Sequence, residues 1–227
     1  MTDAKLDLLI DRPTESVPEM VVRRIRHAIA AGLLPPGRQL TERELVELTG
    51  VSRTSVREAM RHLQTLGLVE PSPSRGVRVA TLGMEEVREI YEVRDALEPA
   101  AAELFVRRAT DEEVDALVEK VQPRATGEER LQAIYEFDEL LVAGARNSLL
   151  KSMLEPLHTR IHALRSLSVT IPGRREASQQ EYLDLAEAIR SRSPEAAAEA
   201  SHRHVREAAK AALEAVQIVE NQQRPKT

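Results

Sequence analysis

The sequence predicts a mainly α-helical protein: an N-terminal winged helix-turn-helix domain followed by an all-helical antiparallel bundle of about six or seven helices. Three observations support this fold class. Short capped helical patterns fill residues 16–67, two short apolar stretches then flank a Pro/Ser/Gly segment, and helical periodicity continues from Met84 onward. We therefore divide the 227 residues into a flexible leader (1–15), the winged helix-turn-helix domain (16–80) and the helical domain (81–227).

The first helix is predicted from a capping box. Ser16 and Glu19 have the Ser-x-x-Glu spacing, an apolar stripe follows at helical spacing, and Gly32 ends the pattern. The next segment, Leu33-Leu34-Pro35-Pro36-Gly37, must be a turn, because two prolines cannot continue a helix.

Two further short helices follow, separated by a tight turn. Thr41 and Glu44 form a second capping box, and Gly50 ends that helix. Ser52 can cap the third helix, whose inward positions are Val56, Met60 and Leu63. Two short helices joined by a glycine-containing turn are typical of a helix-turn-helix.

Residues 68–79 are predicted to form a β-hairpin, the wing of the domain. Val77 and Val79 alternate with Arg78 at strand period, and Leu68-Val69 supplies the other strand. The Pro/Ser/Gly segment between them is a loop with the basic residue Arg75 near its tip.

The remainder of the chain is predicted to be helical nearly throughout, because Ala, Glu, Leu and Arg dominate it. Pro99 is expected to begin a new helix or to kink one. The expected helices span residues 84–98, 99–109, 111–122, 127–145, 147–168, 175–191 and 194–219.

Composition and charge exclude several classes of function. The chain has no cysteine, which excludes disulfides and thiolate metal sites, and no apolar run long enough to span a bilayer. No signal-peptide pattern opens it. The net charge is −5, yet residues 16–80 carry ten arginines and six glutamates, a net of +4. We expect a cytoplasmic protein with a basic N-terminal domain, no membrane contact, no cofactor and no metal.

The third helix presents candidate contacts to nucleic acid. Its start, Ser52-Arg53-Thr54-Ser55-Val56-Arg57, would face base edges and phosphates if the helix docked in a major groove. Arg53 and Arg57 share one face, opposite the apolar stripe, and Arg43 on the preceding helix is placed for a backbone contact. For any single arginine, a solvated surface remains the alternative.

The N-terminal part resembles the DNA-binding domain of the GntR family of bacterial transcription regulators. The resemblance rests on residues 35–45 (PPGRQLTEREL), 50–60 (GVSRTSVREAM), 67–69 (GLV) and 75–76 (RG). It implies a homodimer bound to double-stranded DNA at a short palindromic operator. The residues expected at the DNA are Arg43, Ser52, Arg53, Thr54, Ser55, Arg57, Arg75 and Gly76.

The C-terminal part is similar to the helical effector domain, the FCD domain, of the FadR subfamily, through residues 92–98 (EVRDALE) and 144–147 (GARN). Domains of this subfamily often hold a divalent metal with one Asp and three His, and the metal then binds a carboxylate effector. The corresponding positions here are Ile134, Asp138, Tyr182 and His204. Only His204 keeps the family's residue, so we expect no metal site of this type.

Two other histidines, His158 and His162, lie four apart on one predicted helix and could form a ligand pair. Arg160 and Arg165 would oppose a cation there. We therefore expect these histidines to belong to a solvated helix face.

The candidate effector-binding residues are Arg94, Asp138, Tyr182 and His204, which are expected to converge inside the bundle. A buried arginine must be paired or must neutralise a ligand anion. Two interpretations stay open: an internal pair of Arg94 with Asp138 or Glu98, and contact of Arg94 with an organic-acid effector.

Three hypotheses for function follow. The first is a transcription regulator, a repressor, whose operator affinity is controlled by a small organic-acid effector. The second is a helical enzyme with an appended winged helix, which the missing Gly-rich phosphate loops and nucleophile elbow disfavour. The third is a winged-helix module that binds an acidic protein partner. Salt-dependent binding to a palindromic duplex would separate the first from the third, and turnover of a metabolite would support the second.

Overall fold

The computed structural model describes residues 15–30, 32–72, 76–122 and 127–223. Within these residues the predicted fold class is confirmed: a winged helix-turn-helix is followed by a helical bundle. The leader expected at 1–15, except Glu15, and the wing residues 73–75 lie outside the described residues.

The winged helix-turn-helix is built by local capping and by one apolar core. Thr41 Oγ1 accepts from the Glu44 amide at 3.2 Å, and Ser52 Oγ accepts from the Ser55 amide at 3.2 Å. Gly50 ends the second helix with a φ of 68°, the left-handed conformation that glycine adopts at least cost. The elements are α1 (Val17–Ala30), β1 (Gln39–Leu40), α2 (Glu42–Thr49), α3 (Arg53–Thr65), β2 (Val69–Pro71) and β3 (Val77–Val79).

The wing is a three-stranded antiparallel sheet rather than the predicted two-stranded hairpin. Its strand order is β1-β3-β2, and Leu40 of β1 pairs with Val77 while Val69 of β2 pairs with Val79. Strand β1 has only two residues, too few to show the alternation by which a strand is predicted. The buried side chains of Leu40, Val77 and Val79 join the core formed by α1, α2 and α3.

Six described helices form the bundle, and each begins within about one residue of its predicted start except at Pro99. The predicted break there is wrong, because α4 continues through Pro99. A proline inside a helix removes one backbone hydrogen bond, and here the loss is offset by burial of α4, which packs along α9. The helices are α4 (Met84–Arg108), α5 (Asp111–Lys120), α6 (Gly127–Gly144), α7 (Ser148–Ser168), α8 (Arg174–Arg190) and α9 (Pro194–Gln223).

Helix α7 joins the two parts of the molecule, because α1 of the winged helix packs against it. The Arg26 side chain is only 16% exposed. Its Nε donates to Thr159 Oγ1 at 3.0 Å, and its Nη1 donates to Glu155 Oε1 at 3.3 Å. Polar contacts of Arg26 with α7 therefore help to hold the winged helix on the bundle.

Candidate functional site

A concave face on the winged helix brings together four of the eight residues predicted to contact DNA. Arg43 from α2, Arg53 and Arg57 from α3, and Gly76 from the wing line this basic face together with Thr41 and Glu42. The Arg43 and Arg57 side chains are 85% and 57% exposed. Cations from two helices thus point toward one open surface beside the wing.

The hydroxyl-bearing residues at the start of α3 also stabilise this end of the helix. Ser52 caps the helix, and its Oγ lies 3.0 Å from Ser55 Oγ. Thr54 is exposed beside them. Amide groups and hydroxyls at a helix start are suited to phosphate, so the cap and a phosphate contact use the same end of the helix.

Gly76 allows the chain before β3 to pass close to the backbone of Leu40 and Thr41, where β1 leads into α2. Its φ is +140°, and a Cβ there would lie 2.4 Å from the Leu40 carbonyl oxygen and 3.1 Å from Thr41 Cα. Only glycine fits this contact without displacement of backbone. Arg75, the other wing residue predicted at the DNA, lies outside the described residues.

One acidic residue on the basic face escaped the sequence analysis. Glu42 Oε1 accepts from Arg57 Nε at 2.8 Å, and this hydrogen bond, with the charges of Arg57 and Arg53, holds the pKa of Glu42 below its usual range. Glu42 is therefore a carboxylate that orients Arg57. The pair spans fifteen positions, so no local pattern indicates it.

The interior of the bundle holds a buried polar cluster built on Asp138 of α6. Arg165 of α7 donates to Asp138 Oδ2 at 3.2 and 3.3 Å and to the Tyr182 hydroxyl at 2.6 Å. The Tyr182 hydroxyl donates in turn to Asp138 Oδ1 at 3.3 Å. Burial raises the pKa of Tyr182 well above its usual value, so this phenol remains a donor. Two predicted effector residues, Asp138 and Tyr182, are thus in contact.

The predicted residue Arg94 is fully buried and makes one of the two internal pairs that the sequence left open. Its Nε and Nη2 donate to Glu98 at 2.8 and 3.0 Å, and His158 Nε2 lies 3.2 Å from the same carboxylate. Although burial opposes ionisation, Arg94 and His158 hold the pKa of Glu98 well below its usual range. The pairing leaves Arg94 Nη1 buried and with no hydrogen-bond partner among the described residues.

The predicted residue His204 also has one engaged and one free nitrogen. Its Nδ1 lies 2.8 Å from Glu181 Oε2, and Arg174 Nη2 donates to the same oxygen at 2.6 Å. Burial lowers the pKa of His204, so the ring is neutral and its proton lies on Nδ1, facing the carboxylate. His204 Nε2 is consequently a buried acceptor with no partner in the described part of the chain.

The expectation that His158 and His162 form a solvated face is wrong. Both are buried, His158 at 7% and His162 at 2% exposure. Arg165 Nη1 donates to His162 Nδ1 at 2.6 Å, and burial, followed by the Arg165 charge, lowers the pKa of His162 well below its usual value. Positions 158, 162 and 165 have the spacing of one helix face, and this periodicity is the sequence signal from which their common burial could have been predicted.

The cluster encloses a small cavity lined by Tyr91, Arg94, Arg165, Arg174 and His204, among others. Its volume of about 10 Å³ is close to that of a single water-sized group. Arg94 and His204, whose Nη1 and Nε2 atoms have no partner among the described residues, both line this cavity.

These residues do not fit the divalent metal that FCD-type domains often hold. Ile134 is buried in the apolar core and has no donor atom, and Asp138 is paired with the Arg165 cation. Among the residues that the structure describes, no group of three His, Asp or Glu side chains could hold a metal ion. Of the four family positions, only His204 offers a nitrogen donor here.

A winged helix-turn-helix with a basic concave face, joined to a helical domain with a buried polar cluster, defines a DNA-binding transcription regulator. Comparison with known families identifies the family of regulators to which the chain belongs. The family model "Bacterial regulatory proteins, gntR family" matches residues 18–79, and the model "FCD domain" matches residues 89–207. The chain belongs to the GntR family of regulators with a C-terminal FCD domain.

Individual relatives agree with this assignment. The uncharacterized HTH-type transcriptional regulator YdhC of Bacillus subtilis is 32% identical over 198 residues, 84% of this chain and 88% of that protein. The HTH-type transcriptional repressor RspR of Escherichia coli is 29% identical over 201 residues, 86% of this chain and 88% of that protein. The solved structure of E. coli McbR/YncC has a TM-score of 0.75 at 23% identity, covering 92% of this chain and 99% of that chain, which shows the shared fold.

No helix in the described ranges is long and apolar enough to cross a membrane.

Proposed function

We propose that the protein is a cytoplasmic repressor whose affinity for a palindromic operator is controlled by a small organic acid bound inside the FCD domain. The similarity to RspR, which is named a repressor, supports the direction of regulation. The residues that we assign to the DNA are Arg43, Ser52, Arg53, Thr54, Ser55, Arg57, Arg75 and Gly76.

Among the described residues, Arg94 Nη1, His162 Nε2 and His204 Nε2 are buried inside the bundle without a hydrogen-bond partner. The observation that carries the proposal is that two of these residues, Arg94 and His204, line the same small cavity. Leaving a buried donor or acceptor unsatisfied is costly, so such atoms indicate a ligand group. A carboxylate oxygen would accept from Arg94, and a hydroxyl would donate to His204. A small hydroxy acid offers both groups, while Asp138 and Tyr182 would orient Arg165, which lines the cavity.

The cavity has room for about one water-sized group, so an effector must displace the surrounding side chains. Helix α7 is the element that would transmit this displacement. His158, His162 and Arg165 face the polar cluster, whereas Glu155 and Thr159 bind Arg26 of the winged helix. A coupling of about 1–3 kcal/mol between the two sites would change operator affinity several-fold to about a hundredfold.

A homodimer would place two winged helices on the two halves of a palindrome. Leu149 and Met153 lie four apart on α7 and are 70% and 50% exposed, although both are large and apolar. Burial of this patch against a second copy would stabilise the dimer.

The experiment is a fluorescence anisotropy titration of a palindromic duplex from the upstream region of the encoding gene, with and without a panel of small hydroxy acids. We expect at least one acid to lower operator affinity and His204→Gln to abolish this response. His202→Gln is the matched control, because His202 is partly exposed and pairs with Asp95. A wild-type response in His204→Gln, or no response to any acid, would contradict the proposal.

A further inference from the structure

The junction between the two domains contains a second cavity, separate from the polar cluster. Its volume is about 370 Å³, within the range of small-molecule sites. It lies between the winged helix, the connection at residues 80–83, α7 and α9. Its walls are largely apolar and include Leu68, Val79, Leu164, Leu167, Val216 and Val219.

Arg160 of α7 is the cation in this cavity wall. Its side chain is only 20% exposed, and its Nη2 pairs with Glu86 of α4. Its Nε, however, is buried and has no hydrogen-bond partner among the described residues. Burial also lowers the pKa of Arg160.

We propose that this junction cavity binds a small amphipathic monocarboxylate, with its carboxylate on Arg160 and its aliphatic chain along the apolar walls. An arginine whose Nε is free and whose surroundings are apolar is suited to a carboxylate, because the charge-assisted hydrogen bond gains strength where water is excluded. The aliphatic walls, with no aromatic ring among the lining residues, favour a chain over a flat ring system.

The size of the cavity limits the ligand. At about 370 Å³ it lies toward the lower end of the range of small-molecule sites, so the ligand must be small. Octanoate, with eight carbons and two oxygens, is a probe of this size. Glu220, the other charged side chain in the wall, would disfavour a ligand with a second negative charge.

This site is independent of the proposed effector site. The small cavity of the polar cluster is lined mainly by residues of α4, α7, α8 and α9, and none of these residues also lines the junction cavity. A ligand here touches both domains and would alter their relative orientation to the extent that it binds one orientation better than another.

The test is calorimetric titration of the full-length protein with octanoate below its micellar concentration, and with octan-1-ol, which has the same chain and no charge. We expect one saturable octanoate site for each chain and binding of octanol at least about tenfold weaker, because octanol cannot form the charge-assisted hydrogen bond. Arg160→Met should weaken octanoate about tenfold or more and leave octanol unchanged. Arg88→Met is the matched control, because Arg88 also pairs with a glutamate of α4 but does not line the cavity.

A second variant covers the case in which Arg160→Met does not fold. Ala80 lines the cavity and is partly buried, so Ala80→Leu should fill part of the space and reduce octanoate binding. The proposal is overturned by octanol binding as tightly as octanoate, by wild-type octanoate affinity in a folded Arg160→Met, or by the absence of saturable octanoate binding to the wild-type protein.

Discussion

Replacing Arg57 by alanine should weaken operator binding more than replacing Arg53, because Arg57 also neutralises Glu42. Both arginines line the basic concave face, and Arg57 Nε donates to Glu42 Oε1 at 2.8 Å. An arginine at DNA is typically worth about tenfold in affinity for each half-site, so either change should cost a dimer about a hundredfold.

Arg57→Ala additionally leaves the Glu42 carboxylate facing DNA without its cation. Two like charges about 7 Å apart in water cost about threefold in affinity, hence about tenfold for two half-sites. Glu42→Gln in the Arg57→Ala background should restore this loss of about tenfold in operator affinity. The slope of log K against log salt should become shallower by about one for each phosphate that the variant no longer neutralises.

The assay is anisotropy of a labelled palindromic duplex at three or more salt concentrations, with melting curves for every variant. Arg61→Ala is the control, because Arg61 is an exposed arginine on α3 that does not line the concave face. Wild-type affinity in both Arg53→Ala and Arg57→Ala would refute the DNA interface. If Glu42→Gln restored nothing to Arg57→Ala, the role given to Glu42 would be wrong.

Two further predictions concern the wing and the bundle. Gly76→Ala should lower the free energy of unfolding by about 2 kcal/mol or more, because the new Cβ meets the Leu40 carbonyl oxygen at a strained φ. Gly83→Ala is the control, because a Cβ there has nothing within 4 Å, and it should change the free energy of unfolding by less than about 0.5 kcal/mol. Denaturant titrations measure both values. Elemental analysis of protein purified without chelator should find well below one equivalent of zinc, nickel or manganese. One equivalent for each chain, absent from His204→Ala, would instead indicate a metal site containing Asp138 and His204.

Much of the fold is predictable because it depends on short-range interactions. Thr41, Ser52 and Gly50 set the ends of α2 and α3 through contacts within four residues, and each was identifiable from its residue type and spacing. The shared face of Arg53 and Arg57 was predictable for the same reason. Positions four apart on a capped helix share one face whatever the rest of the chain does.

The predictions from the sequence are wrong where contacts with an element distant in the chain determine the local structure or the burial of a side chain. Pro99 indicates a break, yet α9 packs along α4 and the helix continues. Strand β1 exists because β3 supplies its hydrogen bonds. His158 and His162 looked solvated beside two arginines, but their face of α7 is covered by other helices of the bundle.

The sequence by itself determined the class of fold, the capped helices, the basic surface of the N-terminal domain and four polar residues of the bundle. Only the tertiary structure decided how those polar residues pair. Arg165 reaches Asp138 across 27 positions and His158 reaches Glu98 across 60, separations at which periodicity carries no information. The buried atoms without a partner in the described part of the chain, on Arg94, Arg160, His162 and His204, can be identified only once every such pair is known, because a buried group lacks a partner only when packing has placed its neighbours elsewhere.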